Sequence, residues 1–254
     1  MGRISAFSSR NLKEIIRDPL SYIFCLGFPL VMLIIMTLVN DSIPPEAGMT
    51  IFRIDYLAGG IAVFGLTFVM LFCCLTVAKD RSGAFLVRLY ATPIKTGDFI
   101  AGYMLPVSLV GLAQMLITFV SSFVISLITN VELNFIGLLL AALTLLPTVI
   151  MMISFGLLFG TLFSEKAAPG LCSIVISFAS FLGGVWFDVE GTGGVLAYIC
   201  NVLPFFHAVK AARLASALTF DGYFPHLLIT LCYAAVVTAA TIIVFSRKMK
   251  ADLQ

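Results

Sequence analysis

Six apolar stretches run through this chain, at Leu20–Val39, Tyr56–Val77, Phe99–Thr129, Phe135–Phe163, Ala167–Phe187 and His226–Phe245. Each is near or above the roughly 20 residues that cross the hydrocarbon core of a bilayer. A water-soluble fold has no interior large enough for them: of 254 residues, 61% are hydrophobic and 11% charged, where a soluble domain carries about a quarter charged. In lipid every backbone N–H and C=O must be bonded inside the protein, which a helix does within its own segment. The chain is therefore read as an all-α polytopic membrane protein, a single transmembrane domain over 1–254 with six crossings. Pro106 and Pro147 sit inside the third and fourth stretches, where a proline is expected to kink a helix.

Orientation follows from where the cations fall. Assigning 1–19, 78–98, 164–166 and 246–254 to one side leaves Arg53, Lys210 and Arg213 as the other side's share of the 15 Lys and Arg residues. The positive-inside rule puts the first set, with both termini, in the cytoplasm. No small-residue cleavage site ends the first apolar stretch, so it is expected to stay as a span rather than be removed.

Two cytoplasmic segments have helical pattern. In 1–18, Ile4, Phe7, Leu12, Ile15 and Ile16 fall on one arc and Arg3, Arg10 and Arg17 on another, the pattern of a helix lying in the membrane interface with its arginines toward water or a partner. Asp18-Pro19 then stops it. In Lys79–Gly102, Arg81, Ala84 and Arg88 share one side of a predicted short helix, with Phe85, Leu86, Leu89 and Tyr90 on the other, ahead of a Thr92-Pro93 stop. This second segment reads as the place where another protein pushes on this one.

The opposite side is small until 188–225. There, Pro204 and scattered charges interrupt a segment too apolar for a free loop, and it reads as one or two short helices dipping into the outer leaflet. Asn40–Asp55 is a short loop whose Arg53 and Asp55 are close enough to pair. Gly183, Gly184, Gly191, Gly193 and Gly194 read as turn material.

Chemical motifs are sparse. The chain has no P-loop, HExxH or GxSxG pattern. Its six cysteines have no metal or disulfide spacing and read as small apolar packing groups. Ionisable side chains are scarce inside the spans, which disfavours an ion-coupled carrier. Ser108, Gln114, Ser121 and Ser122 read as helix-packing contacts. His207, Lys210, Asp188 and Glu190 are the candidates for an intramembrane enzyme, a weaker alternative. Three readings stay open: a membrane subunit driven by a separate ATPase, which the patterned cytoplasmic segment favours, an ion-coupled secondary carrier, and an intramembrane enzyme.

The run Gly83-Ala84-Phe85-Leu86-Val87-Arg88-Leu89-Tyr90-Ala91-Thr92-Pro93, with Asp98-Phe99 and Gly102 after it, resembles the cytoplasmic loop of ABC-2 type transporter permeases, the membrane subunits of export-type, drug-resistance-like ABC transporters. Arg17-Asp18-Pro19, Gly183-Gly184-Val185-Trp186-Phe187 and Leu203-Pro204-Phe205-Phe206-His207-Ala208-Val209 with Ala212-Arg213 extend the resemblance over most of the chain. Ala84 stands where the family usually has Thr, and Val87 where Glu is common. The resemblance implies a permease without its own ATPase site, paired as a homodimer or heterodimer and joined by two ATPase subunits that hold ATP and Mg. It places Arg10, Arg17, Asp80, Arg81, Gly83, Phe85, Arg88, Leu89, Thr92 and Pro93 at the ATPase contact. It places Gly183, Gly184, Trp186, Phe187, Pro204, Phe206 and Arg213 at an outer gate with re-entrant helices. The implied setting is a bacterial or archaeal cytoplasmic membrane, with lipid neighbours, no nucleic acid, no cofactor on this chain, and outward transport of an apolar or amphipathic substrate (drug, lipid-linked or peptide-like).

Overall fold

The computed structural model describes residues 3–44, 48–83 and 96–251, and these contain no strand. Its helices are α1 (Arg3–Arg17), α2 (Pro19–Ser42), α3 (Ile54–Ser82), α4 (Thr96–Thr129), α5 (Phe135–Leu162), α6 (Ala168–Phe181), α7 (Gly194–Val202), α8 (Pro204–Ser216) and α9 (Tyr223–Ala251). Five of them, α2, α3, α4, α5 and α9, are long and apolar enough to cross a membrane, and α7 with α8 would make a sixth if that bent pair were one span.

The stretch expected as the fifth crossing, 167–187, is helical through Phe181 alone. At 14 residues α6 spans about 21 Å, short of the roughly 30 Å hydrocarbon core. Two glycines end it. Gly184, at φ +68°, adopts the left-handed conformation that glycine takes without strain. Its N–H donates to Phe181 O at 3.1 Å, and the next N–H, of Val185, reaches back to Ser180 O at 3.3 Å. This is a Schellman stop, and it turns Val185 into the core.

Prolines act unequally. Pro106 lies inside an uninterrupted α4, whereas α5 breaks at Leu145, just ahead of Pro147, into Phe135–Thr144 and Leu146–Leu162. In α2 a π-helical turn, Ile23–Gly27, precedes Pro29, which lacks the N–H needed to continue an α-helical ladder.

Helix α3 is the central element: 78% of its most apolar window is buried, against 17% for α2 and 22% for α9. The outer two carry Ile34, Leu38, Val236 and Ile243 on exposed faces, a composition that lipid tolerates. The second half of α5 lies closest to α3. A Cβ on Gly156 would stand 2.5 Å from Met70 O, and one on Gly160 2.7 Å from Cys74 O. The Gly156-x-x-x-Gly160 spacing thus lets two backbones touch, as small residues do where van der Waals packing rather than water drives association. Thr241 Oγ1, on α9, donates to Ser154 O at 2.9 Å on the opposite side of α5.

Alternating helix directions bring α1, the C-terminal end of α3, the start of α4 and the C-terminal end of α5 together at one end of the bundle. The segment 48–53, the start of α3, α7 and α8 gather at the other.

Candidate functional site

The first of these ends is built on α1. Its buried stripe is Phe7, Asn11 and Ile15, four residues apart, while Ile4 and Ile16 of the expected apolar arc are 37% and 53% exposed. Phe7 sits on α4 where Gly102 leaves space: a Cβ there would fall 2.1 Å from the ring. The same ring meets Phe99 and Tyr103 edge-on at 5.6 and 5.0 Å. Beside it, Asn11 Nδ2 donates to Gly102 O at 3.0 Å, which satisfies a polar side chain 1% exposed.

The helical pattern of 1–18 turns Arg10 to water or to a partner. In the structure its guanidinium instead donates to both oxygens of Asp80, at 2.7 and 2.9 Å, from α1 to the last turns of α3. Asp80 is 4% exposed and also accepts from Tyr103 Oη at 2.7 Å, so one carboxylate ties three helices. A buried charge needs such partners, because water is not there to solvate it. Glu14 extends the network, meeting Arg10 at 2.8 Å and Lys79 at 3.0 Å. The Asp80 hydrogen bond leads in holding the Arg10 guanidinium above its ordinary pKa; burial opposes it, and the charges of Asp80 and Glu14 reinforce it.

Asp80 and Arg81 do not form part of a separate loop helix. They belong to α3, which runs unbroken to Ser82 before Gly83, whose N–H donates to Lys79 O at 3.0 Å. Arg81 faces the end of α5 rather than solvent: its Nη1 donates to Gly160 O at 3.1 Å and also to Thr161 O. A cation among the last carbonyls of a helix is favoured by the helix dipole. Arg17 is exposed, as are Ser9 and Lys13 on the same face of α1, away from the bundle. Phe85, Arg88, Leu89, Thr92 and Pro93, with the short helix expected around them, lie outside the described residues.

At the other end, α7 and α8 meet at 81° across Leu203, with Pro204 opening α8, where its missing N–H costs nothing. Phe206 is 5% exposed and packs with Val189 and Cys200, against Leu182 and Phe187. Trp186 meets Phe64 of α3 edge-on at 5.4 Å. Arg213 bridges α8 to two other elements: Nε donates to Tyr56 O at 2.9 Å, Nη2 to Gly184 O at 3.0 Å, and the guanidinium lies 5.5 Å from the Tyr56 ring centre. The residues expected at an outer gate, Gly183, Gly184, Trp186, Phe187, Pro204, Phe206 and Arg213, are thus neighbours in one assembly.

The four enzyme candidates are paired off. Lys210 binds Glu190 at 2.6 Å, and Asp188 Oδ1 accepts the Glu190 N–H at 3.0 Å. His207 Nε2 lies 2.8 Å from Asn201 O and its Nδ1 2.6 Å from His226 Nδ1. A carbonyl can only accept, so Nε2 carries the His207 proton and His226 donates to Nδ1. The expected Arg53–Asp55 pair is present at 2.5 Å. Among the described residues no three His, Cys, Asp or Glu side chains are grouped to hold a metal.

Sequence reasoning missed the α1–α3–α4 knot and the α3–α5 glycine contact. The second had a signal, the Gly156-x-x-x-Gly160 spacing. Asp80 had a weaker one, an acid between two cations at the end of a span.

Compared with known families, residues 3–216 match the model described as ABC-2 type transporter. No curated protein matches the chain.

Proposed function

The chain belongs to the ABC-2 type transporter family, and from that premise we propose that it receives the stroke of a separate ABC ATPase through α1 and the inner end of α3. Permeases of this family are the membrane component of the transporter and work with an ATPase subunit. The observation that carries the proposal is the buried Asp80, held by Arg10 of α1 and Tyr103 of α4. A force on α1 would travel into two spanning helices without slack, because breaking that knot would leave a carboxylate buried and unpaired. A surface helix held by lipid alone would slide instead.

The exposed face of α1, with Arg17 at its end, is the docking surface in this reading, together with Arg88 and Thr92-Pro93 between α3 and α4 in the sequence. Asp80 and Arg81 act from inside the permease by fixing that surface to α3 and α5, and Gly83 ends α3 beside them. The ATPase must bind two permease arrangements with different affinity for its cycle to shift them. Both termini face the cytoplasm, following the distribution of Lys and Arg. Two permease copies, or one copy and a paralogue, form the pathway in a bacterial or archaeal cytoplasmic membrane. The α7–α8 pair dips into the outer leaflet as a gate, and an apolar or amphipathic substrate leaves outward. ATP and Mg sit on the partner.

Co-purification tests this reading. The tagged chain, co-expressed with its ABC ATPase subunit, should retain that subunit, and the variants Arg17→Glu and Arg88→Glu should lose most of it while still inserting in the membrane. Full retention by both variants would contradict the docking surface.

A further inference from the structure

The outer end holds a cavity of about 610 Å³, between 48–51, the start of α3, 132–133, 186–190 and α8. That volume falls within the roughly 300–1,000 Å³ of small-molecule sites. Its walls join aromatic surface, from Tyr56, Trp186, Phe187 and Phe206, to four carboxylates, Asp55, Glu132, Asp188 and Glu190.

The charges do not cancel. Asp55 is held by Arg53 at 2.5 Å and Glu190 by Lys210 at 2.6 Å. Arg213, the other cation of the wall, gives its hydrogen bonds to the carbonyls of Tyr56 and Gly184. Asp188 and Glu132 have no ion pair among the described residues, and both are exposed. Counting Arg53, the Arg213 charge offsets one of these two, and among the described residues the cavity keeps a single negative charge in excess. Asp188 does not swing freely, since its Oδ1 accepts the Glu190 N–H at 3.0 Å.

Aromatic faces attract cations through their quadrupole, and a carboxylate beside them adds direct charge attraction. An anion would meet that excess negative charge, and a metal ion would find aromatic walls and too few ligands. We propose that this outer cavity binds a hydrophobic organic monocation, its charge toward Asp188 and Glu132 and its apolar body against Trp186, Phe187 and Tyr56. This deepens the transporter reading and rests on it for the meaning of the binding, as the cationic class of the substrate. The binding itself requires no ATPase.

The chain contains one tryptophan, Trp186, and that residue lines the cavity, so its fluorescence reports occupancy. The full chain in nonionic detergent is titrated with tetraphenylphosphonium and, separately, with tetraphenylborate, an anion of the same shape. Saturable quenching by the cation, none by the anion, and affinity about five- to tenfold weaker in Asp188→Asn, restored in Asp188→Glu, is the expected result. Glu132→Gln should weaken binding in the same direction. Equal quenching by both ions, or unchanged affinity in both Asp188→Asn and Glu132→Gln, would overturn the proposal. The ATPase co-purification above is scored independently, so loss of one result leaves the other standing.

Discussion

Arg10 and Asp80, on the first and third helices, are joined by two hydrogen bonds of 2.7 and 2.9 Å to the two oxygens of a single carboxylate. Asp80 is buried, while Arg10 is about one-third exposed, with 35% of its side chain accessible. Removing the arginine therefore strands a buried charge, whereas removing the aspartate leaves a partly exposed cation that keeps Glu14 at 2.8 Å.

The two single variants should differ accordingly. Arg10→Gln is expected to destabilise the protein by about 2–3 kcal/mol and Asp80→Asn by less, with a coupling of about 1–2 kcal/mol in the double-mutant cycle. Thermal unfolding in detergent measures this. Additive effects would mean that the two groups act separately.

Freeing α1 should also expose Lys13 and Arg17 more often to trypsin. Cleavage after these residues in Asp80→Ala is expected to run at least several-fold faster than in the unaltered chain, because α1 then opens locally without global unfolding. N-terminal sequencing of the fragments identifies the cut sites.

Gly160 is the second test of packing. A methyl group there would lie 2.7 Å from Cys74 O and equally close to Val77 Cβ, both on the central helix. Gly160→Ala should cost about 1–3 kcal/mol, and Gly160→Leu should prevent a stable folded product, measured by monodisperse yield on size-exclusion chromatography. Gly170, with nothing within 4 Å of its Cβ position, should tolerate alanine.

Leu218 offers a gain. It holds φ +56° after α8, while the Thr219 N–H reaches back to Leu214 O at 3.0 Å, a helix stop that normally uses glycine. Leu218→Gly should relieve about 1 kcal/mol of backbone strain, less what its half-buried side chain loses in packing. A rise in melting temperature is the expected sign.

Much of the fold could be read from the sequence because lipid imposes length and apolarity on each crossing. The spans at α2, α3, α4, α5 and α9, the breaks near Asp18 and Pro147, and the short helices on either side of Pro204 all follow from run length and breaker residues. The helix in the segment expected as the fifth crossing ends earlier than hydropathy suggests, because 183–187 is as apolar as a helix end and the left-handed turn at Gly184 decides where α6 stops. Side-chain partners were harder. Periodicity placed Arg10 and Arg81 on outward faces, yet both reach neighbouring helices, to Asp80 and to the last carbonyls of α5. A long arginine side chain chooses its partner from the tertiary arrangement, which one segment's pattern does not contain. At the other end, Pro204, Phe206 and Arg213 lie on α8 beyond the bend at Leu203, and Trp186 lies in the turn after α6 against Phe64 of α3.

The docking role of α1 is tested most directly by a photo-crosslinking amino acid placed at Lys13, on the exposed face of the helix, in the complex assembled with its ATPase. Irradiation should yield a covalent adduct with the ATPase subunit, and the same probe at Tyr198, on α7 at the opposite end, should yield none. An intact complex that gives no ATPase adduct from Lys13 or from Arg17 would contradict transmission through α1.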